Sequence, residues 1–175
     1  MEQLKIFGQA KDKNKKESDG PDSSSTYWKI FIDGASRNNP GPAGAGFYVL
    51  KDSKFFAKHG YYLGIKTNNQ AEYLALLLGV LFLQSRVKSS DHVHIVSDSQ
   101  LLVRQLKGEY KVKATELKPL FQLAQKIVQE LQAELFHVLR IDNKHADAMA
   151  NRGIDTKQQI PDDIKTVFEQ HGISV

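Results

Sequence analysis

Short stretches of alternating apolar and polar residues open the ordered part of the chain and predict strands that bury one face. From Tyr27 to Asp33, the apolar residues Trp28, Ile30 and Ile32 share one face. A loop rich in turn residues follows, and then a pair of strands joined as a hairpin that closes near residues 51–53. The three strand sequences, in order, are YWKIFID, GFYVLKD and KFFAKHGYYLG.

A long helix is predicted next, in TNNQAEYLALLLGVLFLQSRV, where polar opening residues give way to a nearly continuous apolar run. Asn68 or Asn69 is the candidate N-cap, and Glu72 falls in the predicted first turn. The apolar character on all sides indicates that this helix is deeply buried.

Two more strands and three more helices complete the predicted order. A buried strand, HVHIVSD, leads into a short helix that should end near Gly108, since glycine favours the position after a helix. Another helix runs from about Thr115 to Gln132, with Pro119 tolerated in its first turn. The strand AELFHVLRI and a last short helix, NKHADAMANRGI, follow.

This order predicts an α/β fold. Hairpin strands followed by alternating strands and helices imply a mixed sheet covered by helices, and strands joined through helices should run parallel. Residues 8–26 contain a single apolar residue and cannot offset their ordering entropy. We therefore predict a disordered arm over residues 1–26, a folded domain over 27–153, and a C-terminal extension over 154–175 that forms either a further helix or a loose tail.

Composition narrows the class of protein. Hydrophobic residues make up 41% and charged residues 25%, as in ordinary globular proteins. No apolar run is long enough to span a bilayer, and the N-terminus lacks a signal-peptide pattern, so we expect a cytoplasmic protein without a membrane partner. The absence of cysteine excludes disulfides and thiolate ligands. The net charge of +4 lies outside the neutral arm, and a mildly basic domain is compatible with a polyanionic partner.

Acidic residues stand at the ends of four predicted elements. Asp33 and Asp98 each follow a strand, and parallel neighbours would bring them to one sheet edge with backbones about 4.8 Å apart. Glu72 and Asp147 lie near the starts of two helices. Four carboxylates without cysteine or an evident histidine pair favour a hard divalent cation, Mg²⁺ or Mn²⁺.

Each of these acidic residues also has a purely structural interpretation. Asp33 precedes a glycine in a common turn pair, and Asp98 could cap a helix. Glu72 suits the dipole of a helix start, and Asp147 could be a solvated helix residue. The metal-site interpretation therefore depends on the joint arrangement and on the flanking sequence.

The flanking sequence resembles the type 1 ribonuclease H family, in its compact archaeal and bacterial-type branch. The resemblance covers most of residues 28–153, with four blocks in the family's order: IDGASRNNPGPAGAGFYV, TNNQAEYLALLLGV, SDSQLLVRQLKGEYKV and RIDNKHADAMAN. It implies a ribonuclease H-like fold, in which a mixed five-stranded sheet of three antiparallel and two parallel strands is flanked by helices.

The resemblance also implies an endonuclease that hydrolyses the RNA strand of RNA–DNA hybrids and leaves 5′-phosphate and 3′-hydroxyl ends. The family's catalytic carboxylates match Asp33, Glu72, Asp98 and Asp147. These would hold two Mg²⁺ ions, with Mn²⁺ as a substitute, and no small-molecule cofactor is expected. Crowded carboxylates repel one another, so some of their pKa values should be raised without metal and activity should fall at low pH. We expect a monomer.

An enzyme that cuts RNA and spares DNA must contact the 2′-hydroxyl group. The backbone at Gly34 and Ala35 can approach a ribose because neither side chain is bulky. Amide side chains match family positions that touch the minor groove of the hybrid, namely Asn39, Asn68, Asn69 and Gln70. The alternative is structural, with Asn39 shaping its turn and Asn68 capping the helix.

Three further features have open roles. A basic cluster could follow the phosphates of the DNA strand or simply be a solvated face; its members are Arg104, Lys107, Lys111, Lys113 and Lys118. Arg140, predicted to end the last strand, is either a cation that steadies the leaving phosphate or a plain surface residue. His145 is predicted to lie in the last helix, whereas many family members carry a mobile histidine in a loop that is missing here.

Other functions stay open at this stage. An inactive nucleic-acid-binding module would be expected to lack at least one metal carboxylate, and all four are present. The four blocks do not exclude a nuclease that also cuts double-stranded RNA. A remnant of a larger fusion, such as a reverse transcriptase, is compatible with the N-terminal arm, but the chain contains no polymerase sequence.

Overall fold

A five-stranded mixed sheet forms the centre of the structure, a computed structural model that describes residues 25–175. Across the sheet the strands lie in the order β3-β2-β1-β4-β5. Their bounds are Tyr27–Ser36 (β1), Gly41–Lys51 (β2), Lys54–Lys66 (β3), His92–Ser97 (β4) and Glu134–His137 (β5). The first three strands pair antiparallel, while β4 runs parallel to β1 and β5 runs parallel to β4. The predicted α/β fold and the predicted sheet are therefore confirmed.

The described residues also form five α-helices. Their bounds are Asn68–Gln84 (α1), Gln100–Leu106 (α2), Lys118–Glu130 (α3), Lys144–Thr156 (α4) and Asp162–Gln170 (α5). Short 3₁₀ turns precede α3 and α4, at Thr115–Leu117 and Arg140–Asn143. The last strand is shorter than predicted: the chain turns after β5, and the Asp142 N–H donates to the Leu139 carbonyl. Arg140 therefore begins a 3₁₀ turn, and its predicted place at the end of a strand was wrong.

The helix α1 packs its apolar residues against β1, β2 and α3 and is buried along most of its length. Its N-cap is Thr67, whose hydroxyl accepts a hydrogen bond from the Gln70 N–H at 3.2 Å. The Gln70 Oε1 accepts one from the Thr67 N–H at 2.9 Å in return. The predicted cap at Asn68 or Asn69 was wrong, because this reciprocal pair satisfies two N–H groups at once. Glu72 consequently lies in the second turn of α1 and not in the first.

The helix α4 lies on the opposite face of the sheet, over β2 and β3. A Cβ atom at Gly46 would lie 2.2 Å from the Ala150 backbone nitrogen, and one at Gly60 would lie 2.0 Å from the Met149 carbonyl oxygen. Side chains at these positions would push the helix away. The two glycines therefore set how closely α4, and the residues it carries, approach the sheet.

The chain beyond residue 153 packs into the same hydrophobic core as the sheet. Phe168 of α5 is fully buried, and Ile160 and Ile173 on either side of that helix are nearly so. The Tyr62 N–H also donates to the Gln158 carbonyl at 2.7 Å. Residues 154–175 were predicted to form either a further helix or a loose tail, and the helix is the alternative that the structure shows.

At the other end of the chain, the predicted disordered arm lies outside the described residues up to residue 24. Thr26 belongs to the described part, where its N–H donates to the Asp91 carboxylate at 2.9 Å. Within residues 25–175, no helix combines the length and the apolar character needed to cross a membrane.

Replacing Phe168 with alanine should lower the free energy of unfolding by about 3–5 kcal/mol, because a fully buried phenylalanine leaves a cavity. Urea denaturation followed by circular dichroism measures this change. The control is Phe55→Ala, since Phe55 is 57% exposed and its loss should cost far less. Equal effects of the two substitutions would show that the C-terminal segment is not part of the cooperative fold.

Candidate active site

The parallel pairing of β1 with β4 aligns two of the predicted carboxylates. Ile32 lies opposite Ser97 in this register, so Asp33 and Asp98 follow at the same level of the sheet. Asp33 is 5% exposed and Ser97 is 1% exposed, so this edge of the sheet is buried. The expectation that the two aspartates meet at one edge is confirmed.

Glu72 reaches the same edge from α1. A Cβ atom at Gly34 would lie 2.2 Å from the Glu72 backbone nitrogen, so only glycine lets α1 approach β1 this closely. The Gly34 N–H donates to the Glu72 Oε2 at 3.3 Å, and the Glu72 carboxyl is buried. The space beside Gly34 was expected to admit a ribose. On the α1 side, the backbone of the protein itself fills that space.

Asn143 joins the sheet edge to the segment before α4. Its Nδ2 donates to the Asp98 Oδ1 at 3.0 Å and to the Ile32 carbonyl at 2.9 Å. The residue is 1% exposed, and its Oδ1 has no hydrogen-bond partner among the described residues. Asn143 therefore fixes the Asp98 carboxylate relative to β1. No local sequence pattern predicts this role for Asn143, although the residue stands in the block RIDNKHADAMAN.

One oxygen each of Asp33, Glu72 and Asp98 lies within 4.8 Å of the other two. Asp147 is in the first turn of α4, as predicted, but it is not part of this group of three. Its carboxylate accepts a hydrogen bond from Arg140 at 2.9 Å. Asp147 nevertheless lies close enough to raise the pKa of Asp33.

The crowding of these carboxylates changes their pKa values. Burial, followed by repulsion from Asp98 and Asp147, raises the pKa of Asp33 to about 8, although the positive charge of Arg140 opposes the shift. Burial, followed by repulsion from Asp33 and Asp98, raises the pKa of Glu72 well above its ordinary value. The expected rise in carboxylate pKa values is therefore found at two of the four predicted residues.

The three carboxylates line an open cavity of about 510 Å³. Three of the predicted substrate residues line it too, namely Gly34, Ala35 and Asn68. Sequence reasoning missed four of its lining residues, which are Ser36, Arg37, Ser99 and Asn151. Arg37 could have been found from its place four residues after Asp33 in the loop of the first block.

The remaining predicted substrate residues do not line this cavity. The Asn39 Oδ1 accepts a hydrogen bond from the Asn68 N–H at 2.9 Å, which ties the β1–β2 loop to the start of α1. Gln70 uses its side chain to cap α1, and Asn69 is exposed in the first turn. Asn39 and Gln70 therefore hold the rim of the site in place.

Of the two auxiliary residues, Arg140 lines the cavity, while His145 does not. His145 lies at the start of α4, and its ring stacks on Tyr48 of β2 with the ring centroids 4.6 Å apart. The basic cluster of residues 104–118 stays exposed at its lysines, and Arg104 donates to the Tyr110 hydroxyl at 2.6 Å.

The donor set fits divalent cations. Three carboxylate oxygens converge within 4.8 Å. Among the described residues, Arg140 is the one positively charged group that lowers the pKa values of Asp33 and Glu72. Hard cations prefer such oxygen ligands. A mixed sheet in this strand order, with carboxylates from two parallel strands and two helices at one edge, defines a ribonuclease H-like fold.

Comparison with known proteins agrees with this class. Residues 31–153 match the family described as reverse transcriptase-like. The chain is 35% identical over 128 residues to ribonuclease HI of Halobacterium salinarum, which covers 71% of this chain and 63% of that protein. It is 37% identical over 134 residues to a bifunctional protein of Mycobacterium tuberculosis, covering 74% of this chain. The chain spans only 36% of the length of that mycobacterial relative.

Solved structures show the same likeness. The crystal structure of RNase H1 from Halobacterium salinarum superposes with a TM-score of 0.70 at 32% identity, covering 74% of this chain and 98% of that one. LC11-RNase H1 in complex with an RNA/DNA hybrid superposes with a TM-score of 0.68 at 35% identity, covering 74% and 97%. The chain belongs to the type 1 ribonuclease H family.

Asp33→Asn should stabilise the metal-free protein at pH 8. The pKa of Asp33 is raised to about 8 from an ordinary value of 3.8, so its stabilising contribution is complete below about pH 4 and is lost as the pH rises through 8. We expect a gain of at least about 1 kcal/mol, or roughly 2–4 °C in Tm, measured by thermal unfolding in chelator.

At pH 4 the two proteins should melt together. The control Glu169→Gln removes an exposed carboxylate of α5 and should change Tm little at either pH. A lower Tm for Asp33→Asn than for the wild type at pH 8 in chelator would contradict the prediction that the ionised, buried Asp33 carboxylate destabilises the metal-free protein.

Proposed function

We propose that this chain hydrolyses the RNA strand of RNA–DNA hybrids, with Asp33, Glu72, Asp98 and Asp147 as ligands of two divalent cations. The observation that carries this proposal is the convergence of three carboxylates within 4.8 Å at the sheet edge. It is supported by the likeness to LC11-RNase H1, which was solved with an RNA/DNA hybrid.

Mg²⁺ is the proposed cation, with Mn²⁺ as a substitute. The chemistry that such ions supply when bound is activation of a water and stabilisation of the leaving 3′ oxygen, which yields 5′-phosphate and 3′-hydroxyl ends. Asp33 interacts electrostatically with Asp98, Asp147 and Glu72 and would be the ligand that both ions share. Asp147 would complete the set from α4, after exchanging part of its contact with Arg140.

Discrimination for RNA is proposed to come from the loop after β1 and the start of α1. Gly34, Ala35 and Asn68 line the cavity and would contact the ribose. Asn69 is exposed beside them and would reach the minor groove. Asn39 and Gln70 would act by positioning, since their amides bond to the backbone around the start of α1.

The other strand of the hybrid needs a separate surface. We propose that the exposed lysines of the basic cluster follow the phosphates of the DNA strand, because they extend from the end of α2 on the Asp98 side of the sheet. Arg140, next to Asp147 and 80% exposed at its side chain, would steady the leaving phosphate. His145 is assigned no part in the chemistry, since its ring lies against Tyr48.

The proposed active form is a monomer, because this one chain supplies all four of the proposed metal ligands. An inactive binding module is disfavoured by the intact set of carboxylates. The following assay distinguishes a nuclease that cuts only the hybrid from one that also cuts double-stranded RNA.

The purified chain should cut only the RNA strand when given labelled RNA–DNA hybrid, double-stranded RNA and double-stranded DNA with Mg²⁺. Chelator should abolish cutting, and Asp33→Asn should lower turnover by at least roughly a hundredfold while keeping the fold. Glu169→Gln is the matched control and should cut at the wild-type rate. Hybrid binding without cutting would favour the binding module, and equal cutting of double-stranded RNA would widen the substrate class.

The concentration of Mg²⁺ needed for half-maximal activity should rise as the pH falls below 8. The pKa of Asp33 is raised to about 8 without metal, so binding a cation displaces a proton below that pH. One displaced proton predicts about a tenfold rise for each pH unit. Titrations of Mg²⁺ at pH 6, 7, 8 and 9 measure it, and a half-saturating concentration independent of pH would exclude this coupling.

A further inference from the structure

We propose that Arg37 forms a phosphate-binding position at the rim of the carboxylate cavity, where it holds a backbone phosphate a few nucleotides from the cut. This inference rests on the proposed function, because it assigns a further contact with the same substrate. The residue lies in the loop between β1 and β2 and lines the cavity together with Asp33 and Asp98.

The backbone that carries Arg37 is held in place. The Arg37 N–H donates to the Pro42 carbonyl at 2.9 Å and closes the loop. The neighbouring Ser36 hydroxyl donates to the Lys66 carbonyl at 2.8 Å, which joins this loop to the end of β3. The Arg37 side chain therefore projects from a fixed backbone position, so that binding has to order the side chain alone.

The guanidinium group of Arg37 already binds an anion in this structure. Its Nη2 lies 2.6 Å from the Asp155 Oδ1, near the end of α4. The two side chains are 50% and 58% exposed, and ion pairs with this exposure contribute little to stability. A phosphate accepts two parallel hydrogen bonds from a guanidinium group, so it can replace Asp155 at low cost.

The distribution of charge favours a nucleic-acid backbone as the ligand. Among the described residues that line the cavity, only Arg37 and Arg140 are positively charged. Arg140 pairs with Asp147 at the catalytic end. Arg37 is therefore the cation available to a phosphate farther along the strand.

Two distances place this contact. Arg37 follows Asp33 by four residues of extended chain, or about 13 Å. Asp155 follows Asp147 by eight residues of helix, or about 12 Å. Both spacings place the contacted phosphate within a few nucleotides of the scissile one.

A purely structural role would make Arg37 and Asp155 a clamp between the loop and α4. The two roles predict different behaviour of the partner residue. If the pair is a clamp, Arg37→Ala and Asp155→Ala have the same effect. If Arg37 binds phosphate, Asp155→Ala keeps or strengthens hybrid binding, because it frees the guanidinium group.

The test measures hybrid binding by fluorescence anisotropy in chelator and cleavage in Mg²⁺. Arg37→Ala should raise Kd and KM roughly tenfold with little change in kcat. It should also reduce the slope of log Kd against log salt by about 0.9, as expected for one lost phosphate contact. The matched control is Arg152→Ala, which removes the same charge from an exposed position on α4 outside the cavity.

A scan with single methylphosphonate linkages then locates the phosphate. One linkage within a few nucleotides of the cut should weaken binding by the wild type and have no effect on Arg37→Ala. Equal behaviour of Arg37→Ala and Arg152→Ala, or loss of binding in Asp155→Ala, would overturn this inference while leaving the proposed function intact. Failure of the wild type to bind and cut the hybrid would overturn both.

Discussion

The parallel pairing of β1 with β4 brings Asp33 and Asp98 to one level of the sheet, and the rest of the site is arranged around that pair. Glycines then let two helices approach from opposite faces. Gly34 admits the backbone of α1 with Glu72, and Gly46 admits α4, which carries Asp147. Like charges would separate if the elements were free to move. They stay together because α1 is anchored by an apolar surface that is buried along most of the helix.

This arrangement leaves negative charge in a place that water reaches poorly. Arg140 pairs with the outermost carboxylate, Asp147, and only weakly offsets the charge on Asp33 and Glu72. The most buried carboxylates, Asp33 and Glu72, therefore have the raised pKa values. Arg140 instead forms its ion pair with Asp147, at the rim of the site. Proton release and stability are coupled through the same two buried groups, and the binding of a cation at this edge would be coupled to them as well.

Local patterns predicted the strands, the hairpin and the sheet edge at which Asp33 and Asp98 meet, because alternation and parallel order are properties of short segments. They failed where two local solutions competed, as at the start of α1, where Thr67 with Gln70 replaced the predicted asparagine cap. They also missed Asn143, which bonds to the Ile32 carbonyl from 111 residues away. Such a role follows only from tertiary contacts, and the same holds for the pairing of Arg37 with Asp155.

Each of the two arginines that line the cavity forms an ion pair with a carboxylate of α4. Arg140 pairs with Asp147 near the start of the helix and Arg37 pairs with Asp155 near its end. Each carboxylate neutralises part of the charge of its guanidinium group. If both arginines bind phosphates as proposed, a polyanion that reaches both ends at once would replace both carboxylates, whereas a small anion would replace only one. The spacing of the pairs along α4 would then favour an extended strand over a short ligand, because the helix holds the two positions a fixed distance apart.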